Sequence, residues 1–249
     1  MLTPELLALL FAVALLAGCL DTLVGGGGLI CLPALVLAGI PPLQALGTNK
    51  LQGTIGTATA SIMMLKHRKI RLVDARFLMI AAFIGAGFGS LIVQTLDTTF
   101  LRFMIPAVLV LVGGYFLASG YMFKHMPTMV LSPAWYGRLV VPLIGLYDGM
   151  FGPGTGSFFS MSAVALRGMP LLPATALAKT LNFATNFASL LIFVSAGNYV
   201  WQAGLSMMLG QLLGAYAGSH ILFKINTLYL KALIVLICLA MLARYFYSS

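Results

Sequence analysis

The stretch Gly18-Cys19-Leu20-Asp21-Thr22-Leu23-Val24-Gly25-Gly26-Gly27-Gly28 puts a carboxylate and four consecutive glycines into an apolar run. The second half of the chain answers it with Gly145-Leu146-Tyr147-Asp148-Gly149-Met150-Phe151-Gly152-Pro153-Gly154-Thr155-Gly156. Each glycine destabilises a helix interior by about 1 kcal/mol relative to alanine, and Pro153 has no N–H to donate. Helices must break at both places. A break leaves unpaired N–H groups at the start of the next helical piece, where the helix dipole also favours negative charge. Gly25, Gly26, Gly27 and Gly28, with Gly152, Gly154, Thr155 and Gly156, are therefore candidate anion-binding positions.

The surroundings of these breaks are membrane-like. With 61% apolar residues, 8% charged residues and a mean hydropathy of +1.04, the 249-residue chain lacks the polar surface a water-soluble protein needs. At about 20 residues per crossing it has length for roughly eight transmembrane helices with short loops. The first apolar run starts almost at Met1 and carries Glu5 where a signal peptide is basic, so it is expected to be a retained helix. The net charge of +9 resides in connections: Lys66, Arg68, Lys69, Arg71 and Arg76 crowd one, Lys124 and Arg138 frame another, and Arg167 and Lys224 mark two more. That distribution orients helices with basic loops on the cytoplasmic side and speaks against a nucleic-acid partner. Cys19, Cys31 and Cys238 show no CxxC spacing, and His67, His125 and His220 lie near segment ends, so neither a metal nor a cofactor is expected.

The two halves repeat each other beyond the glycine clusters. Gly39-Ile40-Pro41 matches Gly168-Met169-Pro170, Lys50 matches Lys179, Gly85/Gly89-Ser90 matches Gly214/Gly218-Ser219, and Leu101-Arg102 matches Leu230-Lys231. Expected segments are 5–24, 28–39, 44–65, 73–95 and 99–121, then 139–151, 155–167, 174–196, 202–222 and 228–246. This divides the chain into a first transmembrane repeat (1–121), a cytoplasmic linker (122–138) and a second repeat (139–249). Five segments per half is an odd number, so the second copy inserts in the opposite sense. The loop charges agree: the basic 66–71 connection corresponds to the uncharged Ser195-Ala196-Gly197-Asn198-Tyr199. The expectation is an all-α polytopic protein of two inverted-topology repeats, each with a glycine-broken or hairpin helix, and both termini outside. The Gly85/Gly89 and Gly214/Gly218 spacings read as helix packing.

Four ionisable groups fall deep in apolar segments: Asp21 and Lys50 in one half, Asp148 and Lys179 in the other. An ion in hydrocarbon costs roughly 2.5–3.5 kcal/mol on insertion scales, so it needs a partner, a wet cavity or a substrate. Thr48 and Asn49 precede Lys50, while Asn182 and Asn186 follow Lys179 at helical spacing, giving an ammonium and amides on one face. Such a donor set suits a small oxyanion. In the alternative reading each lysine only neutralises an aspartate of the same or the opposite half. Asp21 and Asp148 are candidates either for such ion pairs or for carrying a coupled proton or cation.

Gly25–Gly28 with Pro33, Gly39-Ile40-Pro41 and Ala45-Leu46-Gly47-Thr48-Asn49-Lys50, with a degenerate copy later, resemble the TauE/SafE sulfite-exporter family, also called the TSUP anion permeases. The resemblance implies a multi-pass permease of the cell (inner) membrane with about eight helices in two repeats. Its expected substrates are sulfite, sulfonates such as sulfoacetate, or related small organic anions, usually moved outward. By position it places anion handling at Gly25–Gly28, Thr48, Asn49 and Lys50, and at Gly152–Gly156, Lys179 and Asn182. Thr175-Ala176-Leu177-Ala178 departs from the stronger first-half motif, so a symmetric site is not expected. The function expected is proton-coupled secondary transport by alternating access; an anion channel built on the same lysines is the alternative. The chain has no Gly-x-Ser-Gly and no His-Glu-x-x-His, and no enzyme is expected. Its partners are a small anion and the bilayer.

Overall fold

The computed structural model describes residues 2–122 and 130–221, with isolated helical positions between 236 and 247. Most of the expected segment 228–246, with Cys238, and residues 123–129 of the linker, with Lys124 and His125, lie outside the described residues, as does Lys224. Every described element is helical. The first half comprises α1 (Pro4–Val24), α2 (Gly28–Leu37), α3 (Pro42–Lys66), α4 (Leu72–Gln94) and α5 (Thr98–Met122). The second comprises a short α6 (Pro133–Trp135) that runs through a π-helical turn (Tyr136–Val140) into α7 (Val141–Met150), then α8 (Thr155–Arg167), α9 (Leu171–Ser195) and α10 (Trp201–Ile221).

Local chemistry accounts for the boundaries. Thr3 caps α1 by accepting from the Leu6 N–H at 3.3 Å, with Pro4 preorganised in the first turn. α3 and α9 start behind Pro41 and Pro170, whose extended backbone ends the preceding segments. The helix expected from 139 begins earlier, at Pro133. Ser132 caps it, and Gly137 then lets it lie against Phe77 and Leu78 of α4. Both glycine clusters stop one helix and start another, between Val24 and Gly28 and between Met150 and Thr155. Gly25, Gly152 and Gly154 have φ of 84°, 95° and 80°, in the left-handed region that residues with a Cβ rarely enter.

Side-chain size is distributed as a membrane-embedded helix bundle requires. On α4, Val73, Phe77, Ile80, Ile84, Phe88 and Leu91 are exposed, whereas Ala75, Ala82, Gly85, Ala86, Gly89 and Ser90 are buried. Large apolar groups face outward and small ones inward, the reverse of a soluble core, because in lipid helices associate by close backbone approach. The glycine spacings mark that approach: a Cβ on Gly85 would stand 2.2 Å from the Pro142 carbonyl oxygen, and one on Gly89 would stand 2.0 Å from that of Leu146. Gly214 and Gly218 meet the carbonyls of Leu15 and Cys19 in the same way. Thus α4 packs on α7 and α10 packs on α1, each across the two halves.

The sense of each contact is readable from its residues. α1 and α10 run together, Phe11 meeting Gly210, Leu15 meeting Gly214 and Cys19 meeting Gly218. α3 and α9 cross the centre in opposite senses, Ser61 meeting Thr180 and Gly53 meeting Asn186. Four helices among the described residues have the length and apolarity to cross a membrane: Pro4–Thr22, Leu72–Gln94, Thr98–Tyr115 and Leu171–Ser195. α3 is as long as these, but its central polar face lowers its hydropathy, and most of that face is buried.

Candidate functional site

The two helix breaks meet at the centre of the bundle. A Cβ on Gly25 would lie 2.7 Å from the Ser157 nitrogen, one on Gly156 3.2 Å from the Gly25 Cα, and one on Gly28 3.2 Å from the Pro153 Cα. Only backbones without side chains approach this closely. α3 and α9 cross beside the breaks and bring their polar faces to them.

The four buried ions are joined across the halves. Lys50 pairs with Asp148 at 3.0 Å and Lys179 with Asp21 at 3.1 Å. Each ammonium also donates to the main-chain carbonyl of its own aspartate, Lys50 to Asp148 and Lys179 to Asp21. Those aspartates occupy the last turns of α7 and α1, where the dipole is negative, and the Asp21 carbonyl also accepts from the Gly25 N–H that caps α1, at 2.7 Å. Each carboxylate in turn serves the helix that follows. Asp21 Oδ1 accepts from the Gly27 N–H at 3.0 Å, and Asp148 Oδ1 accepts from the Thr155 hydroxyl at 2.7 Å. A lysine closing one helix end and an aspartate opening the next satisfy groups that hydrocarbon would otherwise leave unpaired.

Where the breaks meet, a cavity of about 30 Å³ is lined by Asp21, Gly25, Gly28, Asn49, Asp148, Gly152, Gly154, Thr155, Gly156, Asn182 and Asn186. All of these were singled out by the sequence. Gln52, Gly53, Thr57 and Gln211 complete the wall. Gly26, Gly27, Thr48 and the two lysines do not reach it. Thr48 sits toward one end of α3, donating to the Gln44 carbonyl at 2.7 Å and accepting from the Val200 N–H at 2.9 Å. The lysines stand behind the wall; a Cβ on Gly152 would lie 3.0 Å from Lys50 Nζ, and one on Gly156 3.5 Å from Lys179 Nζ.

Two amides on the wall are oriented by their neighbours. Gln52 Nε2 donates to Asn49 Oδ1 at 2.8 Å, and Asn186 Nδ2 donates to Asn182 Oδ1 at 3.0 Å. With both oxygens engaged, the Nδ2 groups of Asn49 and Asn182 are left as donors beside Gly28 and Gly156. The wall also carries buried acceptors with no hydrogen-bond partner among the described residues: Asp148 Oδ2, Gln52 Oε1 and Gln211 Oε1. None of Gln52, Gly53, Thr57 and Gln211 was among the site residues read from the sequence, and Gln211 is the one that lies on a helix carrying no other. It lies on α10 in a run of Leu, Gly and Met, and its counterpart in the first half, Ala82, is apolar. One signal was present: Gly56 on α3 has no Cβ because one would stand 2.4 Å from Gln211.

Comparison with known proteins agrees with this architecture. The family described as Sulfite exporter TauE/SafE matches residues 10–245. A "Probable membrane transporter protein" of Haemophilus influenzae is 39% identical over 245 residues, covering 98% of this chain and 96% of the relative. "Probable membrane transporter protein ORF9" of a Sinorhizobium species is 39% identical, covering 96% and 92%. The "Probable membrane transporter protein YfcA" of Escherichia coli K12 is 36% identical over 249 residues, covering 100% and 93%. No solved structure matches. A polytopic helical chain whose two interrupted helices face one buried polar cavity, and which matches this family over nearly its whole length, belongs to the sulfite exporter TauE/SafE family of membrane transporters.

Proposed function

We propose that the protein is a secondary transporter of the inner membrane that carries a small anion such as sulfite or a sulfonate by alternating access of two inverted repeats. The supporting observation is the pair of unspent amide donors, Asn49 Nδ2 and Asn182 Nδ2, presented from opposite halves to a buried cavity beside two helix breaks. Donor amides next to interrupted helices suit an oxyanion. The opposite senses of α3 and α9, and the exchange-related packing of α1 on α10 and α7 on α4, accord with inverted insertion of the second half. On that reading the basic 66–71 loop is cytoplasmic and the two termini lie outside.

Lys50 and Lys179 act on the substrate from behind the wall through their charge. Asp148 is the place for the coupled proton, because its Oδ2 has no hydrogen-bond partner among the described residues. A proton there weakens its hold on Lys50 and turns that ammonium toward the cavity, where an anion replaces the lost carboxylate charge. Anion and proton thus occupy the site together. The cavity has room for about two waters, so a sulfur oxyanion enters only when the helices around it move. That favours alternating access over an open channel.

The test is uptake of radiolabelled sulfite and of sulfonates into proteoliposomes under an imposed pH difference. Accumulation against the anion gradient is expected, and it is lost in Lys50→Ala/Lys179→Ala. Equal transport by that variant and the wild type would remove the lysines from the site. Transport that never exceeds equilibrium would point to a channel.

A further inference from the structure

A cavity much larger than the central one lies away from the breaks, at the end of the bundle where the α3–α4 connection, α6 and the start of α9 converge. It measures about 710 Å³, against about 30 Å³ at the helix breaks. Arg68, Lys69, Arg71, Arg138 and Arg167 line it, with Asp74 as the one acidic group among the described residues of its wall. Asp74 is engaged with Arg71 at 3.0 Å, which leaves a strong positive excess. The floor is apolar: Phe77 and Leu78 of α4, Met169, and Leu177 of α9. A site for a small inorganic anion would need neither this volume nor this floor.

The rim separates a lipid from a soluble ligand. Phe77 belongs to an exposed apolar row that continues through Ile80 and Ile84 along α4, and beside it Leu139 and Leu143 form a second exposed row on the helix through α7. Trp135, 62% exposed, stands next to the cavity residues Ala134 and Tyr136. Aromatic rings of this kind mark the level of lipid headgroups, and basic pockets between membrane helices suit anionic headgroups. The cavity therefore opens toward the face that acyl chains cover, with its cations at headgroup depth.

We propose that this cavity is a binding site for one anionic phospholipid. Its phosphodiester is held by Arg138 and Arg167 with help from the Arg68–Arg71 loop, and an acyl chain leaves over Phe77 between the two exposed rows. The bound lipid bridges α4 of the first half to α6 and α9 of the second. The site is independent of the central cavity and of the substrate assigned to it.

Native mass spectrometry of the full chain in detergent, with phosphatidylglycerol or phosphatidylcholine added at equal concentration, tests it. One phosphatidylglycerol is expected to be retained at least fivefold more than phosphatidylcholine. Arg138→Gln/Arg167→Gln is expected to fall to the phosphatidylcholine level, whereas Arg138→Lys/Arg167→Lys keeps the preference and shows that the fold survives changes there. Ala134→Trp, at an exposed position, narrows the mouth without touching a charge and is expected to weaken retention. Equal retention of the two lipids, or an unchanged preference in the glutamine variant, would overturn the proposal. So would displacement of the lipid by millimolar sodium phosphate or sulfite, which would make the cavity a collecting mouth for free anions.

Discussion

The two buried ion pairs perform one task with different chemistry. At Lys179–Asp21 the carboxylate accepts from a backbone N–H, that of Gly27, in a run of four glycines. At Lys50–Asp148 it accepts from a side-chain hydroxyl, that of Thr155, and its second oxygen has no hydrogen-bond partner among the described residues. The first arrangement depends on the absence of side chains: a Cβ on Gly27 would come within 2.7 Å of the Asp21 Cβ. The second uses a replaceable group and leaves an acceptor in reserve. One copy is thus a rigid closure of a broken helix, and the other keeps a carboxylate oxygen without a hydrogen-bond partner among the described residues.

The sharpest way to break this comparison is to strand one charge. Lys179→Ala leaves Asp21 buried without its ammonium and is expected to cost about 3–5 kcal/mol, read as thermal unfolding in detergent, whereas Lys179→Met/Asp21→Leu recovers most of the loss. Equal destabilisation by the single and double variants would disprove coupling across the halves. Next in size, Gly25→Ala forces a left-handed residue against Ser157, together on the order of 3 kcal/mol. Gly39→Ala has a similar φ of 79° but open space around it, so it is expected to lose only the conformational part, about 1–2 kcal/mol.

Thr155→Val removes a hydrogen bond to a carboxylate and is expected to lower stability by about 1.5–3 kcal/mol, with Thr155→Ser close to wild type in the same assay. No side-chain substitution reproduces this in the first half, where the donor is main chain. The smallest stability effect is expected for Gln211→Leu, within about 1 kcal/mol, because it deletes an acceptor that has no partner among the described residues. Its signature is a changed apparent affinity for the anion in proteoliposomes.

Much of the fold was legible because hydrocarbon punishes exceptions. Asp21, Asp148, Lys50, Lys179, four adjacent glycines and Pro153 are costly at depth, so they mark the breaks without any structure. The Gly85/Gly89 and Gly214/Gly218 spacings were likewise readable as packing, since close backbone approach demands small residues. Pairing was harder to foresee. The like-positioned partners within one half, Asp21 with Lys50 and Asp148 with Lys179, do not meet; the lysines cross over because α3 and α9 intersect at the centre. Nor does periodicity reveal that the ammonium groups stand behind the wall while Asn49 and Asn182 face it, because position on a helix face does not specify how far a side chain reaches. Gln211 escaped notice because a single amide in an apolar run has no pattern to declare it.

The crossed pairing also has a consequence for how the chain is made. Lys179 follows Asp21 by 158 positions, so at ribosomal speeds of ~5–20 residues per second the carboxylate waits roughly 8–32 s for its cation. During that interval the nascent amino-terminal half holds an unneutralised acid in or near the bilayer. Arrival of α9, rather than insertion of the first helices, is therefore the step at which this acid gains its partner.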